Sequence, residues 1–195
     1  MTQQLPEAVR TSLRFMRHDL AGRVHVLLAA IELYSNDDYS GSGTDDALQL
    51  LREVEQNWRG ELRRLDDLLV GTPSPFPVTA HGLSEILGIV VSDGNYLCDP
   101  APLSAAIKHG HKAIGRASLF AHTTTLDRST HGLVLSLRSG TCGDQEQGPL
   151  HEVLPGDGDA YLCEAEAGLA GVKVTAARDT DGVVLCFVIP HAPLF

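Results

Sequence analysis

Apolar residues in the first third of the chain recur at steps of three and four. From Met16 they fall at Leu20, Val24, Leu27, Ile31 and Tyr34, the seam of a helix packed against other helices. That helix is predicted over residues 5–34, with Pro6 in the opening turn, where a missing N–H is tolerated. Residues 35–43 lack periodicity and have the composition of a turn. Thr44 then offers an N-cap, with Asp45 and Asp46 at the positive end of the next helix dipole. The second helix carries Leu48, Leu51, Val54, Trp58, Leu62, Leu65 and Leu69 and stops at Gly71. Pro73, Pro75 and Pro77 predict a stiff linker after it. Two long helices with a short connection make an antiparallel hairpin. Its apolar stripe is too wide for two helices to cover, so a second copy is expected to close a four-helix bundle, a homodimer.

Beyond the linker the pattern changes to glycine, β-branched residues and alternation. Residues 83–91 read as a short helix or a buried strand, which periodicity does not separate. Ser92, Asp93, Gly94 and Asn95 mark a turn. A helix is predicted over residues 99–120, capped by Asp99, opened by Pro100, with Leu103, Ala106, Ile107, Ile114 and Ala117 inward. Residues 132–138 alternate as a strand, 150–155 read as loop or edge, and 159–169 as a helix. Residues 172–176 and 183–189 form a hairpin closed by Asp179, Thr180, Asp181 and Gly182. The fold class is therefore α+β: a helical hairpin over residues 1–72, then an α/β sandwich over 73–195 whose largely antiparallel sheet is covered by helices.

Composition narrows the partners. A net charge of -10 argues against a nucleic-acid or anionic-membrane surface, because phosphate would be repelled. No apolar run approaches the roughly 20 residues that span a bilayer, and the polar opening, residues 1–10, lacks a signal-peptide pattern, so a cytoplasmic protein is expected. Cys98, Cys142, Cys163 and Cys186 are far apart with no CxxC spacing, and read as free thiols that mostly fill the core.

Candidate chemistry concentrates in the first helix. His18 lies two residues from both Met16 and Leu20, so it points away from the seam, solvated and reachable as a nucleophile. Asp19 follows it, and a carboxylate near an imidazole can fix the tautomer and raise basicity. Arg14 and Arg17 lie within a turn of His18, and their guanidinium groups suit phosphate oxygens. Gly22, one turn on, costs the helix about 1 kcal/mol relative to alanine and clears space beside the histidine. His25, seven residues on and nearly on the same face, is the internal rival, without an adjacent acid. His109 and His111 hint at a metal but lack a third ligand at suitable spacing, and read as surface histidines of their helix. His18-Asp19 also matches the paired ligands of metal-dependent phosphohydrolases, which need further histidines and aspartates on several helices, and none can be nominated.

A helical hairpin with an exposed His-Asp, followed by an α/β sandwich, resembles the dimerisation and ATP-binding core of a sensor histidine kinase. Arg17-His18-Asp19-Leu20 resembles the phosphoacceptor box. Residues 165–190, with helix, glycine, strand, Asp-Gly turn, strand and proline, resemble the end of the kinase ATPase domain. The departures bear on function. Where kinases carry a magnesium-holding Asn, this chain reads Lys108-His109-Gly110-His111-Lys112-Ala113. In place of the Asp-x-Gly-x-Gly loop and glycine-rich lid it offers only Pro155-Gly156-Asp157-Gly158-Asp159. With little to stabilise the transferring phosphoryl group of ATP, autophosphorylation is not expected.

A phosphoacceptor on a dimeric bundle with a degenerate ATPase-like domain resembles the histidine phosphotransferases of the Caulobacter cell-cycle and Bacillus sporulation relays. The resemblance implies no cofactor of the chain's own. The partners it implies are response-regulator receiver domains that bring their own aspartyl phosphate and magnesium. His18 is then the phosphoryl carrier and Asp19 orients or deprotonates it, while Arg14, Arg17 or Arg23 steadies phosphate oxygens. The alternative is a non-catalytic dimeric scaffold that binds two-component proteins, with an ATP-dependent kinase third.

Overall fold

The computed structural model describes residues 5–36, 42–118, 121–141 and 147–193. The centre of the turn expected at 35–43, the Thr44 side chain, the last two residues of the helix expected to reach 120, and Cys142 lie outside the described residues. The chain divides into two compact units. One is Arg10–Gly71; the other comprises residues 72 onward together with residues 5–9.

The first unit is helical. Helix α1 (Glu7–Asn36) and helix α2 (Ser42–Val70) each run two residues into the turn expected between them. Arg17 of α1 pairs with Asp66 of α2, while Trp58, earlier in α2, shares a groove with Val26 and Leu27, later in α1. The helices are therefore antiparallel. Leu13, Val24, Leu65 and Leu68 are its buried apolar positions. Most of the remaining seam, including Met16, Leu20, Leu27, Ile31, Leu51 and Leu62, is only half-buried. No helix is long and apolar enough to cross a membrane among the described residues.

The second unit is built on a four-stranded sheet in the order β3-β4-β6-β5: β3 (His122–Ser129), β4 (Gly132–Gly140), β5 (Lys173–Arg178) and β6 (Gly182–Pro190), all antiparallel. Strand β6 is apolar at nearly every position because both of its faces are covered. Val183, Leu185, Phe187 and Ile189 join the main core, while Val184 and Cys186 pack with Ala177 in a smaller cluster behind. Helix α4 (Pro100–Ala117) and helix α6 (Gly158–Leu169) lie against the core face. Asp99 caps α4 by accepting the Ala101 N–H at 3.1 Å, with Pro100 in its first turn, as its sequence requires. The ambiguous stretch resolves as helix α3 (Ala80–Leu87), closed by Gly88 at φ 66.

The proline linker is a correction. Its last residues, Phe76–Thr79, form strand β1, paired antiparallel with β2 (Asn95–Cys98) in a two-stranded ribbon. Pro77 fits there because an edge position leaves an N–H unneeded. Residues 150–153, expected as loop or edge, form the short helix α5 (Leu150–Val153), tied to α6 where the His151 amide and ring Nδ1 meet Glu164 Oε2 at 3.1 and 2.8 Å.

Two glycines set the sheet's geometry. Gly140 ends β4 at φ 78, where a Cβ would stand 1.9 Å from the Asp181 carbonyl oxygen. At Gly110, the middle of α4, a Cβ would meet Phe187, Leu137 and Leu185 at 3.2–3.3 Å. The helix lies close on the sheet because that position is bare.

Candidate functional site

His18 stands on the exposed side of α1 and opens onto a groove of about 520 Å³, lined by His18, Asp19, Gly22, Arg23, Val26, Leu27, Ala30 and Trp58. The helical period explains the set: positions 18, 22 and 26 lie one above another, with 19, 23, 27 and 30 alongside. Trp58 enters from α2 and forms an apolar wall. Gly22 keeps the floor open, since a Cβ there would meet nothing within 4 Å. Among the described residues no neighbouring atom demands a glycine there. His25 is exposed but does not line it.

The charged groups divide more sharply than their spacing suggests. Asp19 Oδ2 accepts from Arg23 Nη2 at 2.8 Å, an i,i+4 pair with both side chains more than half exposed. Arg17 is instead engaged with Asp66 of α2. Arg14 is exposed and outside the groove. Of the three arginines singled out by sequence, only Arg23 shares the groove with His18. The residues that sequence reasoning did not place there are Val26, Leu27, Ala30, Trp58 and, behind Arg17, Asp66. Val26 carried a signal in being apolar off the helix seam, and it is 74% exposed.

A second constellation lies in the sheet unit and corrects the surface reading of His109. That residue is 8% exposed, and its Nδ1 contacts Asp159 Oδ1 at the head of α6. Arg116, two turns along α4, completes the clamp. Its Nε and Nη2 donate to the two oxygens of Asp157 at 2.9 and 2.7 Å, and Nη2 lies 2.5 Å from Asp159 Oδ2. Asp157 also caps α6, accepting the Ala160 N–H at 3.0 Å. The Arg116 guanidinium holds the Asp157 carboxyl below its ordinary range against the opposing effect of burial. Burial works to raise Asp159, but the hydrogen bonds from His109 and Arg116 outweigh it and hold that group low as well. His111 is half-buried, and burial followed by repulsion from His122 lowers its pKa. Among the described residues no three His, Cys, Asp or Glu side chains gather as a metal site.

With this geometry in view, solved structures supply the frame. The Acinetobacter baumannii histidine kinase AdeS is 10% identical and matches 90% of this chain and 98% of its own, with a TM-score of 0.53. The fold is histidine kinase-like. Full-length ShkA, solved in complex with AMPPNP, is 16% identical and matches 94% of this chain with a TM-score of 0.50. The match takes in 47% of ShkA, so this chain spans about half its length. A bacterial phosphotransferase solved at 1.7 Å is 13% identical over 96% of this chain and 99% of its own, but at a TM-score of 0.40 it adds nothing to the fold assignment. No family model and no curated protein matches the sequence.

On this kinase-like fold the α+β class predicted from sequence stands, helical hairpin first and antiparallel sheet with helices after it. The stretch 108–113 is a helix centre, and 155–159 is the capped start of another. The two are joined by the His109, Arg116, Asp157 and Asp159 clamp.

Proposed function

We propose that the chain is a histidine phosphotransferase, passing a phosphoryl group between response-regulator receiver domains through His18 and without ATP. The observation that carries this reading is the exposed His18 at the edge of an apolar groove, beside a bare Gly22 and a solvated Asp19–Arg23 pair. A receiver domain seated on Val26, Leu27 and Trp58 brings its aspartyl phosphate to the imidazole. The neutral ring nitrogen attacks phosphorus and an N–P bond forms. The acyl-phosphate P–O bond breaks, the receiver carboxylate leaves as an anion, and the ring's other nitrogen sheds its proton to water or Asp19. The reverse transfer loads a second receiver. Magnesium travels with the receiver.

The ATPase-like unit supports the absence of an ATP step. A nucleotide needs a cation and amides turned towards its phosphates. Here Asp157 and Asp159 both hold Arg116, and Asp157 also accepts the first-turn Ala160 N–H of α6, so these side chains and that end of the helix are engaged with one another in the resting protein. The half-buried stripes of α1 and α2 support pairing of two hairpins into a four-helix bundle, a homodimer.

The test is to mix the purified protein with a phosphorylated receiver domain and follow acid-labile, base-stable label. Label on the wild type and none on His18→Ala, with receiver binding retained, is the expected result. Binding without label across a panel of receivers would leave a scaffold. A nucleotide-induced thermal shift would restore the kinase.

A further inference from the structure

A phosphoryl group on an imidazole brings close to two negative charges at neutral pH. At His18 it arrives one residue from the Asp19 carboxylate, so a cation within reach of the same groove would offset the added charge. Arg17 is committed to Asp66, and Arg14 lies outside the groove. No arginine of α2 lines it either, and Arg59 there pairs with Glu55 of its own helix. Among the described residues Arg23 is the arginine that remains in the groove, with Nη2 on Asp19 at 2.8 Å. That bond joins side chains 61% and 66% exposed, so solvent screens it and exchange costs little. A guanidinium has five donors, and the sweep from Asp19 towards His18 crosses Gly22, where no side chain stands in the way.

We infer that Arg23 is the positioning residue for the phosphoryl group, parked on Asp19 in the resting protein and handed from that carboxylate to the phosphoryl oxygens when His18 is loaded. The inference rests on His18 as phosphoryl carrier and assigns Asp19 a second task, holding the counter-ion beside the site. Arg17 then has a structural part, bridging α1 to α2.

Potassium phosphoramidate tests this without a receiver. The ring nitrogen of His18 attacks its phosphorus, the donor's P–N bond breaks and ammonia leaves. The His18 resonance in the ³¹P spectrum of the full chain is identified by its loss in His18→Ala, and its pH titration reports the charge around the phosphoryl group. The midpoint in Arg23→Gln is expected about half a pH unit or more above wild type, since a nearby cation favours the dianion. Arg23→Lys should restore part of the shift and Arg17→Gln should leave the midpoint alone. Equal midpoints in wild type and Arg23→Gln, or an equal shift in Arg17→Gln, overturn the inference. So does a His18 that stays unlabelled while other histidines react. Failure of the phosphotransfer reading is seen separately, as wild-type protein that takes no label from a phosphorylated receiver.

Discussion

Gly22 separates two demands, helix stability and room beside His18, the proposed phosphoacceptor. In the middle of an exposed helix glycine costs about 1 kcal/mol relative to alanine, and nothing within 4 Å repays that inside the chain. Gly22→Ala is therefore expected to raise the stability of the hairpin by up to about 1 kcal/mol in chemical denaturation, while slowing label transfer from a receiver domain. Gly60 is equally bare, in α2 and outside the groove. Gly60→Ala should give the same stabilisation and leave transfer unchanged. If both variants transfer at the wild-type rate, Gly22 has no part in docking. His18 was legible in the sequence because its position follows from the helical period alone. The division among Arg14, Arg17 and Arg23 was not, since it depends on Asp66, reached only by folding α2 back along α1. His109 was misread for a related reason. Beside Lys108 and Lys112 it looks like surface, yet the bare Gly110 next to it brings that side of α4 onto the sheet.

At the scale of elements, α4 and α6 are held by packing and by the ionic clamp of His109, Arg116, Asp157 and Asp159. Leu103, Ala106, Ala113 and Ile114 of α4 and Ala160, Cys163 and Ala167 of α6 share the core. The clamp carries a pH dependence whose sign follows from its carboxyls. Asp157 and Asp159 are held below their unfolded values, so their contribution is complete above the unfolded carboxyl range, about pH 4, and disappears as pH falls through the folded values. Arg116→Ala is expected to cost about 1–2 kcal/mol at neutral pH, given a half-exposed guanidinium on two largely buried carboxylates. The gap to wild type should narrow as the pH is taken below about 4, as thermal melts across a pH series will show. A gap that stays constant into acid would mean that Arg116 acts by packing alone. Where sequence failed on elements, the cause was the edge of a sheet. Strand β3 is almost wholly exposed and polar, His-Thr-Thr-Thr-Leu-Asp-Arg-Ser, so alternation says nothing and only its β-branched threonines mark it. Strand β1 was hidden by its proline. The central strands β4 and β6 were plain because burial wrote apolar residues into them.

The molecule as a whole joins two units with different reasons to be stable. The sheet unit encloses a continuous core from Val78 to Ile189 that includes Leu133, Leu135, Leu137, Leu185 and Phe187. The hairpin leaves Phe15, Val26, Tyr34 and Leu50 more than half exposed and its seam half covered. A chain of this kind is not expected to melt in one all-or-none step. If a second copy covers the hairpin, its transition is linked to association and the sheet unit's is not. Each tenfold rise in protein concentration then adds about 1.4 kcal/mol to the dimer-coupled transition. Calorimetry over a hundredfold concentration range should show one transition moving up and another standing still. Far-ultraviolet helical signal is expected to follow the moving one, since α1 and α2 are the two longest helices. Two stationary transitions would mean the stripe is covered by something other than a copy of the chain, and the four-helix bundle would fall while the chemistry of His18 remained to be judged on its own label.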